Sequence, residues 1–271
     1  MNSGSCLKAF ALGALLTISA APAFAAACGT GTFEGWLEDF KKEAVSKGIS
    51  QTIIASSLAG VTLDKAVIAR DQNQKVFSQT FEEFSGRMVP PRMTRGSNML
   101  KQYGSVLGRI EQTYGVPGEI IVAIWGLETD YGVNLGKFQT LRSLASLAYD
   151  CRRSEMFKAE LMDALRLVER GDLPPQEMRG AWAGELGQTQ FMPSNYVKFA
   201  VDFDGNGKRD LLRSAPDVLA STANYLASKG WQRGKDWEPG SANFAVIKEW
   251  NKSEVYAKTI GYFATQLSRA P

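Results

Sequence analysis

Glu128 closes the apolar run VPGEIIVAIWGLETDYG (residues 116–132) in a chain of 271 residues that contains no histidine. Ile120, Ile121, Ala123, Ile124 and Leu127 recur at helical spacing. Glu128 falls four residues after Ile124 and eight after Ile120, so the spacing predicts a helix with its carboxyl group on the buried face. Burial disfavours the ionised form, and the negative end of the helix macrodipole pushes the same way. A pKa raised above the ordinary carboxylate range is therefore expected, and such a group can donate a proton near neutrality. The competing reading of a Glu near a helix end is a capping or ion-paired residue.

The missing histidine removes Ser-His and Cys-His nucleophile pairs and every zinc site built on imidazole. Three cysteines are too few for a Cys-only zinc cluster, and no GxGxxG or GxxxxGK[ST] motif supports nucleotide chemistry. Acid–base work by Asp and Glu is what remains. The net charge of +3 comes from well-mixed acids and bases, with no basic run interleaved with aromatics, so no nucleic-acid partner is expected.

The elements that must position such an acid read as mostly helical. Amphipathic runs cover Phe33 to Lys47, Ser50 to Leu58, Gly96 to Tyr114 and Glu155 to Arg170. Turn punctuation falls at Pro90-Pro91, Val116-Pro117-Gly118, Pro174-Pro175, the 202–210 loop and Glu238-Pro239-Gly240. No repeat, low-complexity tract or long linker divides the chain, and the best strand signal is NFAVIK at 243–248, so any sheet is small. Residues 1–26, with Lys8, an apolar stretch and Ala23-Phe24-Ala25, read as a cleaved signal peptide, which leaves residues 27–271 as one exported domain. Cys28, just beyond the cleavage site, has two readings: a lipid anchor or a disulfide with Cys151. The missing aliphatic residue three positions before it favours the disulfide, which would tie the N-terminus to the body.

Taken together, IWGLETDYG (124–132), LAYDCRR (147–153), WAGELGQTQFMPSNY (182–196), DFDGNGKRD (202–210), STANYLASKGW (221–231) and WNKSEVYA (250–257) resemble the MltB-like lytic murein transglycosylases, from about Phe33 to Leu267. The resemblance implies a mainly α (α+β) fold, a lysozyme-like helical domain with a small β element and an active-site groove for peptidoglycan glycan strands. It implies a periplasmic enzyme with no cofactor required for catalysis. Glu128 would protonate the glycosidic oxygen between N-acetylmuramic acid and N-acetylglucosamine, then as carboxylate take the muramoyl C6 hydroxyl proton, giving a 1,6-anhydro product without water.

By the same resemblance, Gln190 contacts the acid or the substrate acetamido group, with Gln188 as the alternative, and Tyr225, Asn251 and Tyr256 line the cleft. Arg152 and Arg153 match paired arginines, one of which would bind a peptidoglycan carboxylate; a surface ion pair is the competing reading. Trp125, Trp182, Phe191 and Tyr225 are candidates for excluding water and stacking on sugars, although core packing suits Trp125 better. Two departures stand out: Ala181 replaces a serine found in many relatives, and Glu185 replaces a small residue. A second carboxylate there would tune Glu128 upward, act as a base for water, or serve structurally against an Arg or backbone amides.

DFDGNGKRD reads as the start of an EF-hand loop with Asp202, Asp204, Asn206 and Asp210 as calcium ligands, but Arg213 occupies the twelfth position. Asp217 would reach back to a structural ion, or, in a metal-free loop, cap the next helix. Two other functions compete with transglycosylation: a muramidase that uses water, and a non-catalytic glycan-binding scaffold. No separate peptidoglycan-binding domain is expected, so cell-wall assembly or secretion partners would have to supply localisation.

Overall fold

In this computed structural model, residues 1, 28–29, 31–73 and 79–270 are described. The expected signal peptide therefore falls, apart from Met1, outside the described residues. The chain runs through α1 (Phe33–Ser46), α2 (Gln51–Leu58), α3 (Lys65–Gln72), α4 (Phe81–Met88), α5 (Met93–Gln102), α6 (Gly104–Tyr114) and α7 (Gly118–Thr129). It continues with β1 (Phe138–Gln139), α8 (Thr140–Tyr149), α9 (Ser154–Glu169), β2 (Arg179–Gly180), α10 (Pro193–Phe199), α11 (Ala215–Ser228), α12 (Ala242–Trp250) and α13 (Glu254–Arg269). The sheet is the small element expected: β1 and β2 pair antiparallel, with Phe138 opposite Gly180 and Gln139 opposite Arg179.

Local chemistry sets most boundaries. Thr32, Ser50, Asp64, Ser214, Ser241 and Ser253 each accept a backbone N–H of the helix that follows, and Thr80 and Glu83 form a reciprocal capping box at α4. Gly115, at φ +76°, ends α6 in the left-handed conformation, and Pro117 precedes the first turn of α7. The expected helix from Gly96 to Tyr114 divides at Tyr103, which leaves α geometry before α6 begins at Gly104. The 243–248 segment is no strand. Ser241 caps it through the Phe244 N–H, and Asn243, Phe244, Val246 and Ile247 are buried at helical spacing. In so short a window β-branched content is a weaker signal than a cap.

Helix α7 lies at the centre. Ile120, Ile121, Val122, Ala123 and Ile124 have no exposed surface, since α13, α11, α5 and α6 pack around it. An apolar helix wrapped this way is fixed to a fraction of a helical turn, so a polar group in its last turn is held where the packing puts it. The N-terminal end is fastened elsewhere. Cys28 is disulfide-bonded to Cys151 across 123 residues, and Gly29 donates its N–H to the Tyr149 carbonyl at 2.9 Å. Phe33 and Trp36 meet the Tyr149 ring edge-on.

Candidate active site

Glu128 sits in the last turn of α7 at the floor of a cavity of about 440 Å³. Its Oε1 accepts hydrogen bonds from Trp250 Nε1 at 3.0 Å and from the Tyr256 hydroxyl at 2.8 Å. Burial pushes its carboxyl group up from 4.5 to about 7, and the nearby Glu185 carboxylate pushes the same way, while the Trp250 and Tyr256 hydrogen bonds pull it back. The acid is therefore held near the midpoint of its titration at neutral pH, which suits a group that must both give and take a proton. Burial and the Glu128 charge hold the Tyr256 phenol well above its ordinary range, so it remains a donor.

Several contacts lock the end of α7. Arg92 donates to the Gly126 carbonyl at 2.9 Å and pairs with Asp130 at 2.6 Å, while the Tyr131 hydroxyl donates to the Arg92 carbonyl. Asp130 and Tyr131, two and three residues after the acid, both adopt positive φ, a costly conformation for residues with side chains. Gly126 leaves room for the Tyr131 ring, which would stand 2.8 Å from a Cβ added there. The Thr129 hydroxyl donates to the Gln188 carbonyl and so ties α7 to the loop on the opposite wall.

That loop, residues 181–191, supplies the second wall. Gly180 lets the Glu185 carbonyl approach to where an added Cβ would be only 1.7 Å away, and isolated bridges join Gly180 to Leu186 and Leu186 to Phe191. Gln190, at φ +53°, donates its amide to the Gly187 and Leu135 carbonyls at 2.8 and 3.2 Å. Its Oε1 receives no donor among the described residues, leaving a fixed acceptor on the cavity wall. Gln188 points elsewhere: it accepts from Trp125 Nε1 and donates to the Leu212 carbonyl, within the core. The Trp125 reading as core packing matches this arrangement.

Glu185 lines the same cavity, its Oε2 accepting the Ala183 N–H at 3.1 Å. Burial raises its pKa; its own and the Ala183 backbone N–H groups, and then Arg153, act against that. Tyr225 and Asn251 also line the cavity. The Tyr225 hydroxyl donates to the Glu249 carbonyl and its ring meets Trp250 edge-on at 5.2 Å, with Phe191 behind. Asn251 accepts the Ser253 N–H. Arg152 and Arg153 do not line it: both pair with Asp71, a carboxylate with 1% of its surface exposed. A buried charge left alone would be costly, so their guanidinium groups are committed to Asp71.

Trp250, Met192 and Asn195 also line the cavity, and sequence reasoning named none of them as site residues. Trp250 begins the WNKSEVYA segment, so the motif was visible even though the role of its first residue was not. A 3.6-residue pattern cannot say that an indole at the end of α12 returns to an acid 122 positions earlier.

In the 202–210 loop, one oxygen each from Asp202, Asp204 and Asp217 lie within 4.8 Å of one another. Asp217 is fully buried and its two oxygens accept the N–H groups of Phe203, Asp204 and Asp210, so it reaches back into the loop rather than capping α11; Ser214 is the cap. Asp210, also expected as a ligand, is not part of this cluster and accepts the N–H groups of Leu212 and Arg213, while Asn206 accepts the Lys208 N–H, as Asp202 accepts those of Gly205, Asn206 and Gly207. Arg213 pairs with Glu177. The all-oxygen donor set suits a hard divalent cation such as calcium.

The Transglycosylase SLT domain family model matches residues 32–240. Membrane-bound lytic murein transglycosylase B of Escherichia coli K12 is 40% identical over 148 residues, which is 54% of this chain and 41% of that protein, so the alignment spans less than half of the relative. SltB3 from Pseudomonas aeruginosa, solved in complex with NAG-anhNAM-pentapeptide, superposes with a TM-score of 0.83 at 32% identity, over 88% of this chain and 80% of that one. Escherichia coli lytic transglycosylase Slt35 in complex with calcium superposes with a TM-score of 0.76 at 26% identity, over 86% and 92% of the two chains.

Proposed function

The chain belongs to the Transglycosylase SLT domain family, and on that premise we propose that it is a lytic transglycosylase that cleaves the β-1,4 bond between N-acetylmuramic acid and N-acetylglucosamine with Glu128 as its one catalytic acid and base. The observation that carries this reading is a carboxyl group raised to about 7 and hydrogen-bonded to Trp250 and Tyr256, in a cavity it shares with the fixed Gln190 acceptor.

Protonated Glu128 donates to the glycosidic oxygen, and the bond from the muramoyl C1 to that oxygen breaks with the electron pair leaving on oxygen. Positive charge at C1 is relieved by the carbonyl oxygen of the substrate's own 2-acetamido group. Gln190 Oε1 accepts that group's N–H and orients it. The resulting Glu128 carboxylate, stabilised by the indole and phenol donors, takes the C6 hydroxyl proton; O6 attacks C1 and the acid is regenerated. No water is consumed. The aromatic wall of Phe191, Tyr225 and Trp250 suits a site that must exclude it. The NAG-anhNAM fragment in SltB3 supports the anhydro product.

Hydrolysis is the second reading, favoured by Glu185, a second carboxyl group lining the same cavity that in its ionised form would serve as a base for water. Mass analysis of muropeptides released from purified sacculi separates the two. Anhydromuropeptides from the wild type and none from Glu128→Gln would establish the proposal; reducing-end products, heavier by one water, would replace it with hydrolysis. The signal-peptide pattern of residues 1–26 supports export to the periplasm, and among the described residues no helix is long and apolar enough to cross a membrane. Calcium would be held by Asp202, Asp204 and Asp217 as a structural ion, as the calcium complex of Slt35 suggests. A rise in Tm on adding calcium, absent in Asp202→Asn, would support that ion.

A further inference from the structure

We propose that a cationic annex beside the catalytic cavity binds a carboxylate of the peptide stem carried by the glycan, through Arg70 and Lys137. This rests on reading Glu128 as the acid of a peptidoglycan-cleaving site. The annex is a groove of about 730 Å³ whose walls include Arg70, Lys137, Phe138 and Trp182; Ala181 lines both spaces, so the groove adjoins the one that holds Glu128. Its volume is in the range of a small-ligand site.

Charge divides the two spaces. The catalytic cavity is lined by two carboxylates, Glu128 and Glu185, and by no cation; the annex is lined by two cations and no carboxylate. A strand lying across both would place neutral sugar at the acid and an anionic substituent in the annex. The muramoyl ring carries such a substituent, since its lactyl arm bears a peptide that ends in carboxylates.

The availability of the charges points the same way. Arg92, Arg142, Arg152 and Arg153 all pair with carboxylates, whereas among the described residues neither Arg70 nor Lys137 has an acidic partner. Arg70 and Asp71 are adjacent on α3 and turn to different ends: Asp71 receives Arg152 and Arg153, while the Arg70 guanidinium lies 5.3 Å over the Phe138 ring. Phe138 is in turn fixed by its pairing with Gly180. The guanidinium is thus held in place by a ring with its charge unspent, an arrangement that lowers the entropy lost on binding an anion. The paired arginines expected to recognise the peptide are occupied, and the role passes to Arg70 and Lys137.

The test uses the full mature chain carrying Glu128→Gln, so that binding is read without turnover. Its affinity is compared with that of the same chain also carrying Arg70→Gln and Lys137→Gln, on peptide-bearing strands and on strands stripped of peptide by an amidase. Loss of two charge-assisted contacts should weaken binding to peptide-bearing strands about tenfold and leave binding to bare strands within about twofold. Arg70→Lys should keep part of the preference, and raised salt should shrink it. Equal weakening on both strands, or none on either, overturns the proposal; unchanged Tm and helical circular dichroism establish that the variants are folded. Because the readout is binding, a failure of transglycosylation by the wild-type chain would appear separately, in its products.

Discussion

Replacing Glu128 by Gln removes an ionisation that the folded site opposes, yet keeps an oxygen to receive the Trp250 indole and the Tyr256 hydroxyl. The folded carboxyl group titrates at about 7, against 4.5 when free. Below pH 4.5 both the folded and the unfolded wild-type chains hold the proton, so the stability associated with burying a neutral acid is fully present. As pH rises from 4.5 the unfolded chain ionises first, stability falls, and the loss is complete once the folded group has titrated, just above 7. At about 1.4 kcal/mol per pH unit, that window amounts to about 3 kcal/mol. The variant, which cannot ionise there, should gain on the wild type by that amount between pH 4 and pH 8, or roughly 6–12 °C in Tm. Glu160 and Asp217, also raised by burial, titrate in both proteins and largely cancel in the difference, and carrying Glu185→Gln in both removes the carboxylate that senses the Glu128 charge. Urea unfolding of both proteins at pH 4, 6 and 8 measures it. A stability difference that does not change with pH would refute the argument that burial holds Glu128 protonated.

The site's electrostatics predict two opposite shifts in activity. Glu185→Gln removes a like charge and should move the alkaline limb of the pH–rate profile to lower pH, whereas Tyr256→Phe removes a donor to the carboxylate and should move it higher, with a fall in kcat. Shifts in the same direction would contradict the assigned signs. Reducing the Cys28–Cys151 bond should lower Tm, with a chain-entropy ceiling of about 5 kcal/mol for a loop of 123 residues; an unchanged Tm would mean that the N-terminal segment is held by its other contacts alone. Gly180→Ala places a Cβ on the Glu185 carbonyl and should abolish muropeptide release while leaving the helical circular dichroism intact; full activity would show that the loop can move aside at little cost.

The helical character of the chain and the position of its central acid were legible because they rest on local signals: the apolar period through Ile120 and Ile124, the caps at Thr32, Ser50 and Ser253, and the Gly115–Pro117 stop and start. What could not be read locally depends on contacts between distant segments. Nothing near Trp250 indicates that its indole meets Glu128, and nothing near Arg152 reveals a buried Asp71 some eighty residues earlier. The 243–248 segment misled because β-branched and aromatic residues suit a strand and a buried helix face alike, and only the Ser241 cap and the burial pattern decide between them. In the 202–210 loop, spacing identified a carboxylate cluster but not its membership, because Asp217 joins it from the next helix while Asp210 turns away.

An acid that serves twice faces contrary demands. On the proposed mechanism, desolvation at the end of α7 would hold the proton on Glu128 until the leaving oxygen needs it, and the indole and phenol would stabilise the carboxylate long enough to take the next proton. The first effect comes from the packing of α7 itself; the second comes from Trp250 at the end of α12 and Tyr256 in the first turn of α13. Since α13 packs along α7, the docking that buries the acid also delivers Tyr256, and α12, packed against α13, brings Trp250 to the same oxygen. Burial without those donors would leave a carboxyl group that stays protonated well past neutrality and returns too slowly as a base. Donors without burial would leave one ionised at neutral pH, with no proton to give. A pKa near 7 is therefore a property of the α7–α12–α13 junction rather than of Glu128 alone, and substitutions that loosen α13 should alter the pH–rate profile before they alter the helical content.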